Sequence, residues 1–162
     1  MNTEGYSSLQ VANYFIELAR EQGRLLNPMQ LIKLVYIAHG WCLGINNRPL
    51  IREQIEAWQY GPVVPNLYHE VKNYRNRGID IILPTYDCTP LNENAKSLIS
   101  EVYSQYGKYD GLDLSNITHK EDTPWSRTWH NPSWGDKIIP NSMIATHYGN
   151  LYGQLKRLQR RD

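Results

Sequence analysis

The sequence predicts a mainly α-helical protein with a small antiparallel β element, and three observations support this fold class. Most of the chain falls into amphipathic or apolar segments with the spacing of helices. Turn residues divide one central stretch into short alternating segments, which is typical of strands. A length of 162 residues fits one domain of ordinary size. We therefore expect residues 1–162 to form a single domain, with about six helices around a central apolar helix.

The first two predicted helices differ in how much of their surface is apolar. Residues 8–22 carry one apolar stripe at helical spacing. Residues 29–45 follow a capping Asn27 and Pro28 and are apolar on almost every side. A helix of the second kind is normally surrounded by other elements, so it is the expected core helix.

Lys33 is the one charged residue of this core helix. In one interpretation its aliphatic stem lies on the core while the ammonium group reaches water. In the other, Lys33 is buried, paired and functional, because a lysine is rarely buried without a partner. The sequence leaves both interpretations open.

Residues 45–62 predict one or two short strands, and the following stretch, EAWQYGPVVPNLYHEV (56–71), predicts a rigid strand-to-helix corner. Gly61 can take a positive φ, Pro62 fixes its own φ, and Pro65 suits the first turn of a helix. The alternation of a strand places the neighbouring rings of Trp58 and Tyr60 on one face.

Four further helices and another short strand are predicted after this corner. The strand is IDIILP (79–84), and the helices cover 91–107, 112–119, a segment opened by Thr123 and Pro124, and 141–160. The last helix carries a regular apolar stripe, made of Ile144, Tyr148, Leu151, Leu155 and Leu158.

The composition favours recognition over catalysis. Twelve tyrosines and five tryptophans stand against one phenylalanine, and such amphipathic rings suit half-buried surfaces and interfaces. A net charge of +1 gives no field that would attract nucleic acid, although the tail KRLQRRD is locally basic. The start of the sequence does not resemble a signal peptide, and no run reaches the ~20 apolar residues of a membrane span. We expect a cytoplasmic protein that does not enter a membrane.

The residue patterns predict no catalytic residue, metal ligand or cofactor. None of the five histidines lies in an HExxH motif, and GxSxG, Walker and GxGxxG motifs are absent from the sequence. His39 lies in the apolar helix, where a hydrogen-bonded core residue is the usual role. Cys42 and Cys88 stand in unrelated contexts, without the spacing of a metal or redox pair.

Three segments occur in the order that is typical of one known family. They are QLIKLVYIAHGW (30–41), IEAWQYGPVVPNLYHEVKNY (55–74) and LSNITHKEDTPW (114–125), and together they resemble the Panacea-domain antitoxins. This family is SocA-like and includes phage-associated GepA-like proteins. The positions that match its pattern are Lys33, Tyr36, Gly40, Trp41, Glu56, Ala57, Trp58, Tyr60, Gly61, Pro62, Val63, Pro65, Tyr68, Leu114, Ser115, Thr118, His119, Pro124 and Trp125.

The resemblance implies a single Panacea-like antitoxin domain that is not an enzyme. Such antitoxins are encoded beside a toxin and bind it directly, and some members look like adaptors that deliver the toxin to a cytoplasmic protease. The expected partner-binding residues are aromatic or histidine side chains, namely Trp58, Tyr60, Tyr68, His119 and Trp125. The expected structural residues are Lys33, Tyr36, Trp41, Glu56, Gly61, Pro62, Pro65, Thr118 and Pro124.

The polar members of this pattern need a reason beyond packing. We hypothesise that Lys33, Glu56, Thr118 and His119 form a polar network joining the core helix, the corner and the late segment, with Glu56 as the countercharge of Lys33. Two other functions stay open: a phage or prophage DNA-binding regulator that uses the basic tail, and an enzyme that uses His119 or His69 with a carboxylate.

Overall fold

Seven α-helices, a 3₁₀ turn (Lys72–Tyr74) and three short strands form the described part of this computed structural model, which covers residues 4–86, 89–133, 135 and 137–160. The helices are α1 (Ser8–Glu21), α2 (Pro28–Asn46), α3 (Pro65–Val71), α4 (Glu93–Tyr106), α5 (Gly111–His119), α6 (Pro124–Trp129) and α7 (Asn141–Gln159). The strands are β1 (Ile55–Trp58), β2 (Gly61–Val63) and β3 (Ile138–Ile139). This confirms the predicted fold class, with a central helix and six others.

Helix α2 is the core helix, as predicted. Residues 31–40 are all buried, because α1, α4, α5 and α7 pack around it. Its start has the expected cap: the Gln30 backbone N–H donates to Asn27 Oδ1 at 2.9 Å, and the Gln30 side chain accepts from the Asn27 N–H at 3.0 Å. The first two helices could also be read as a helix-turn-helix, but a second helix buried on every side over residues 31–40 cannot enter a DNA groove.

His39 joins α2 to two other parts of the core. Its Nδ1 accepts the backbone N–H groups of Leu50 and Ile51, both at 3.2 Å, so the ring proton is on Nε2. Nε2 lies 3.0 Å from Asn141 Oδ1, at the start of α7. Burial lowers the pKa of His39 to about 4, which keeps the ring neutral. The predicted role of His39 as a hydrogen-bonded core residue is confirmed.

Helix α7 packs tightly against α2 over its first half only. A Cβ on Gly44 would lie 2.6 Å from the Tyr148 carbonyl carbon and 2.7 Å from the Gly149 nitrogen, so the two backbones nearly touch. His39 meets Asn141 and Gly44 meets Gly149, which shows that the helices run in the same direction. Because α2 ends at Asn46, the rest of α7 extends beyond it.

The predicted apolar stripe of α7 is therefore buried in part. Ile144 and Tyr148 are buried, whereas Leu155 is 48% exposed and Leu158 is 60% exposed. In α4, Ile99, Val102 and Tyr103 are buried, whereas Leu98 is only half-buried.

The three strands form one antiparallel sheet in the order β2-β1-β3. Glu56 pairs with Val63 and Trp58 with Gly61, so Gln59 and Tyr60 make the hairpin turn. On its other edge β1 pairs with β3, with Ile55 opposite Ile139. This is the small antiparallel element that the sequence predicts. Gly61 has the expected positive φ and Pro65 opens α3 as expected. The expected placement of Trp58 and Tyr60 on one face of a strand is wrong, because the chain turns back at residues 59 and 60 into β2.

The prediction of a strand at residues 79–84 is wrong. The segment belongs to none of the three strands, and the backbone of Leu83 bonds to a side chain instead: Asn13 Oδ1 accepts the Leu83 N–H at 2.7 Å, and Asn13 Nδ2 donates to the Leu83 carbonyl at 3.0 Å. A single asparagine on α1 thus takes the place of a neighbouring strand.

Cys42 is half-buried, and burial raises the pKa of its thiol. Cys88 lies outside the described residues. Within the described ranges, none of the helices has the length and apolar character that a membrane crossing requires.

Candidate functional site

The β1–β2 hairpin places one tyrosine at the surface on a constrained turn. Tyr60, in the turn, is 63% exposed. Gly61 follows it with a φ of 119°, a region that side-chain-bearing residues rarely adopt. A Cβ on Gly61 would also lie 2.9 Å from Lys33 Nζ. The backbone angle therefore requires glycine here, and any side chain would also displace the Lys33 ammonium group.

Three helices each donate one side-chain hydrogen bond to this hairpin. Trp125 Nε1 of α6 donates to the Trp58 carbonyl at 2.6 Å, and Ser115 Oγ of α5 donates to the Tyr60 carbonyl at 2.7 Å. Lys33 Nζ of α2 donates to the carbonyl of Pro62 at 2.9 Å. The acceptors alternate along the chain at residues 58, 60 and 62. The hairpin tip is therefore held from three directions.

Lys33 is buried, as the second interpretation of the sequence expected. Its side chain is 3% exposed, and this burial lowers the pKa of its ammonium group to about 7. Its bonding partner is the carbonyl dipole of Pro62. The interpretation in which the ammonium group reaches water is wrong, because Gly61 and Pro62 of β2 lie against it.

The predicted polar network of Lys33, Glu56, Thr118 and His119 does not form, because each of the four side chains bonds to another partner and none bonds to a second member of the set. Glu56 accepts from Trp58 Nε1 at 3.1 Å, within its own strand, and does not pair with Lys33. Thr118 Oγ1 donates to its own helix, to the Leu114 carbonyl at 2.9 Å or the Ser115 carbonyl at 3.1 Å. The predicted Lys33–Glu56 ion pair is thus wrong, because the side chain of Glu56 turns to an indole N–H and that of Lys33 to a carbonyl.

Rings at half-buried positions surround the hairpin. Trp58 and Tyr68 meet edge to face, with ring centroids 4.9 Å apart and planes at 75°. Trp125 stacks on Trp129 at 5.6 Å, and the ring of His119 stands against Trp125 at 5.2 Å. The rings therefore support one another.

We call Trp58, Tyr60, Tyr68 and His119 the hairpin surface. Tyr60 is exposed and the other three are half-buried. Trp125 is only 5% exposed, so it lies beneath this surface and holds the hairpin from below. The five predicted partner-binding residues thus belong to one connected group contributed by the hairpin, α3, α5 and α6.

Ser115 and His119 resemble a nucleophile and base but are bonded differently. His119 Nδ1 lies within hydrogen-bond reach of the Ser115 carbonyl, where it donates its proton. The Ser115 hydroxyl donates its own proton to Tyr60 and is 2% exposed. His119 Nδ1 also lies 3.3 Å from Ser115 Oγ, but with its proton directed at the Ser115 carbonyl it does not accept the hydroxyl proton in this arrangement.

The remaining predicted structural residues lie in or beside the core. Pro65 and Pro124 occupy the first turns of α3 and α6. Tyr36 and Trp41 both meet the ring of Tyr148, at centroid distances of 6.2 and 5.2 Å. Pro65 and Pro124 thus open the helices that carry Tyr68 and Trp125, whereas Tyr36 and Trp41 pack in the contact between α2 and α7.

The sequence did not indicate that Ser115 donates a hydrogen bond to the Tyr60 carbonyl. The available signal was the spacing of Ser115, Thr118 and His119, which lies on one helical face at positions i, i+3 and i+4. In the part of the chain that the structure describes, no group of three or more His, Cys, Asp or Glu side chains is placed to hold a metal ion.

The sequence matches a known protein family over the part of the chain that contains the hairpin. Residues 31–126 match the family model described as "Antitoxin SocA-like, Panacea domain". This range contains Lys33, the hairpin, α5 and Trp125, whereas α1 and α7 lie outside it. The chain is also 30% identical to the antitoxin SocA of Caulobacter vibrioides (strain NA1000 / CB15N) over 131 residues, which cover 75% of this chain and 70% of that protein. No solved structure matches the chain.

The family match covers more than half of the sequence, and it includes every side chain that bonds to the hairpin carbonyls. The chain belongs to the SocA-like antitoxin family, whose members carry the Panacea domain.

Proposed function

We propose that this protein is the antitoxin of a toxin–antitoxin pair and neutralises its toxin by binding it directly through the hairpin surface. The toxin is expected to be a protein encoded by a neighbouring gene. Membership of an antitoxin family supports the role, and the geometry of the hairpin supports the location.

The observation that carries the proposal is the exposure of Tyr60 on a turn that three helices hold in place. Tyr60 exposes 63% of its surface although its own carbonyl is bonded to the buried Ser115. Binding energy concentrates in a few aromatic and arginine side chains. A residue that is already rigid loses little conformational entropy on binding, so a fixed aromatic tip is a favourable anchor.

Co-expression with the toxin tests this proposal, with binding and growth rescue as readouts. Tyr60→Ala is expected to weaken toxin binding by roughly 10- to 100-fold, which is typical of an aromatic anchor. Tyr86→Ala is the matched control, because Tyr86 is a fully exposed tyrosine (102%) outside the hairpin surface. If a folded Tyr60→Ala protein binds and neutralises the toxin as well as the Tyr86→Ala control does, the hairpin surface is not the site.

The half-life of the toxin in the co-expressing cells distinguishes neutralisation by binding from delivery to a protease. Simple binding leaves the toxin inactive at an unchanged half-life, whereas an adaptor shortens that half-life when the cytoplasmic protease is present. Measuring toxin abundance after translation stops, with and without the antitoxin, distinguishes these two mechanisms.

A further inference from the structure

The outer face of the sheet carries a half-buried carboxylate. Glu56 lies on the central strand β1, where it pairs with Val63 of β2 and with Ile138 of β3. Burial alternates along β1, so Glu56 and Trp58 share the face that points away from the core. Paired residues of neighbouring antiparallel strands lie side by side on one face. The carboxylate of Glu56 is therefore flanked by apolar side chains, and water reaches only part of it.

This carboxylate has a hydrogen-bond donor but no countercharge. Trp58 Nε1 donates to Glu56 Oε1 at 3.1 Å, and among the described residues no Lys, Arg or His side chain forms an ion pair with Glu56. Lys137 precedes β3, but its ammonium group donates to the carbonyls of Trp129 and Asn131 at 3.0 and 3.1 Å. A carboxylate has about four lone-pair sites, so Glu56 can accept further donors.

Two aromatic rings lie beside the carboxylate and carry no cation. The rings of Trp58 and Tyr68 meet edge to face, and both residues are half-buried. The face of a tryptophan or tyrosine ring attracts cations. In the described part of the molecule, the Lys and Arg side chains that rest on rings lie on others, namely those of Tyr74, Tyr109, Trp129 and Tyr152. We call Glu56, Trp58 and Tyr68 the ring–carboxylate site.

The ring–carboxylate site is held in place by the rest of the fold. The Trp58 carbonyl accepts a hydrogen bond from Trp125, and the Trp58 side chain contacts both Glu56 and Tyr68. Tyr68 lies on α3, which is anchored in the core through the buried Leu67. Side chains that are already ordered lose little conformational entropy when a partner binds. The site is therefore preorganised for a cationic side chain.

The arrangement favours a guanidinium group over an ammonium group. The carboxylate lies at the edge of the Trp58 ring, where the indole N–H donates to it. A guanidinium group is planar, so it can lie on the ring and direct its N–H groups to a carboxylate at the ring edge, whereas an ammonium group is a compact and strongly hydrated point charge. We propose that the ring–carboxylate site binds an arginine side chain of the toxin, with Glu56 as its countercharge. This inference rests on the proposed function, because Trp58 and Tyr68 belong to the hairpin surface.

Affinity for the toxin encoded by the neighbouring gene tests the arginine contact, with Glu56→Gln as the variant. Glutamine keeps an acceptor for the Trp58 indole and removes only the charge, so the fold is retained. Affinity should fall about tenfold, and it should also depend less on salt concentration. Glu17→Gln is the matched control, because it makes the same charge change at an exposed position of α1. Equal affinities of the two variants overturn the proposal.

The Tyr60→Ala variant, measured beside these two, distinguishes failure of the arginine contact from failure of the proposed function. If Tyr60→Ala weakens binding and Glu56→Gln does not, the hairpin surface still binds the toxin and only the arginine contact is overturned. If neither variant weakens binding, both proposals are overturned.

Modification of the toxin with phenylglyoxal, which reacts with arginine side chains, supplies a second readout. One toxin arginine should lose its reactivity in the complex, and mass spectrometry identifies it. With that arginine replaced by glutamine, Glu56→Gln should cost less than about twofold in affinity, because its partner is already gone. Full reactivity of every toxin arginine in the complex overturns the proposal, as does an undiminished effect of Glu56→Gln on the toxin variant.

Discussion

The ammonium nitrogen of Lys33 lies 2.9 Å from the carbonyl oxygen of Pro62, in a site where the lysine is 3% exposed. A charged group in such a site normally pairs with a carboxylate, because burial of an ion is costly. Here the charge meets a backbone dipole, and the pKa of Lys33 falls to about 7. The core helix and the exposed hairpin are thus joined by a group that is partly deprotonated near neutral pH.

The stability of the protein is expected to rise between pH 7 and pH 9.5. The pKa of Lys33 is about 7 in the folded chain and 10.5 in an exposed lysine, so the unfolded chain binds more protons in this window. The gain is on the order of 3 kcal/mol at most. Urea unfolding across this range measures it. In Lys33→Met the rise should disappear, and an equal rise in that variant would show that another group causes it.

The stability of the protein at acidic pH is expected to depend on His39. Burial lowers its pKa to about 4, so the unfolded chain binds more protons between pH 6.5 and 4, and stability is lost as the pH falls through this window. A His39→Gln variant is expected to lose less stability than the wild type between pH 7 and 4.5. The difference between their urea midpoints at the two pH values is the measurement. Parallel losses in both proteins would contradict the assignment.

Gly61→Ala is expected to destabilise the protein by roughly 2 kcal/mol or more, since it forces a side chain to a positive φ and crowds Lys33. Gly153→Ala is the matched control. A Cβ there meets no atom within 4 Å, and α7 should gain up to about 1 kcal/mol from the better helix former. The unfolding temperatures of the two variants, each compared with that of the wild type, measure these effects. Equal unfolding temperatures would mean that the hairpin does not require glycine.

Trp125→Phe removes one of the three donors to the hairpin but keeps an aromatic ring. The Trp58 carbonyl then loses its 2.6 Å bond, at an expected cost of about 1–3 kcal/mol. Hydrogen exchange should accelerate in residues 55–63. If the hairpin surface binds the toxin, affinity should fall even though Trp125 itself is buried. Unchanged exchange would show that Ser115 and Lys33 suffice to hold the turn.

Local patterns were enough to predict the helices and the corner. The cap at Asn27 and Pro28, the apolar character of α2 and the Gly61–Pro62 step each depend on neighbours in the chain, so their consequences can be inferred without the fold. The strand predicted at 79–84 failed because Asn13, far away in sequence, bonds to Leu83.

Contacts between distant residues were beyond the reach of these patterns. The countercharge assigned to Lys33 was Glu56, since opposite charges are the simplest pairing, but the fold presents a carbonyl instead. The burial of Trp125 and the exposure of Leu158 were equally hidden, because each depends on where another helix lies or ends.

The sequence by itself therefore determined the helical fold class, the core helix, the stiff corner and the resemblance to an antitoxin family, because these follow from periodicity, turn chemistry and motif order. Only the tertiary structure decided that α2, α5 and α6 meet the hairpin at the carbonyls of residues 58, 60 and 62. The tertiary structure also decided that the Tyr60 side chain is exposed to solvent while Lys33 is buried under the hairpin. The physical reason is that hydrogen-bond partners and solvent exposure depend on distances between elements, which local sequence patterns do not specify.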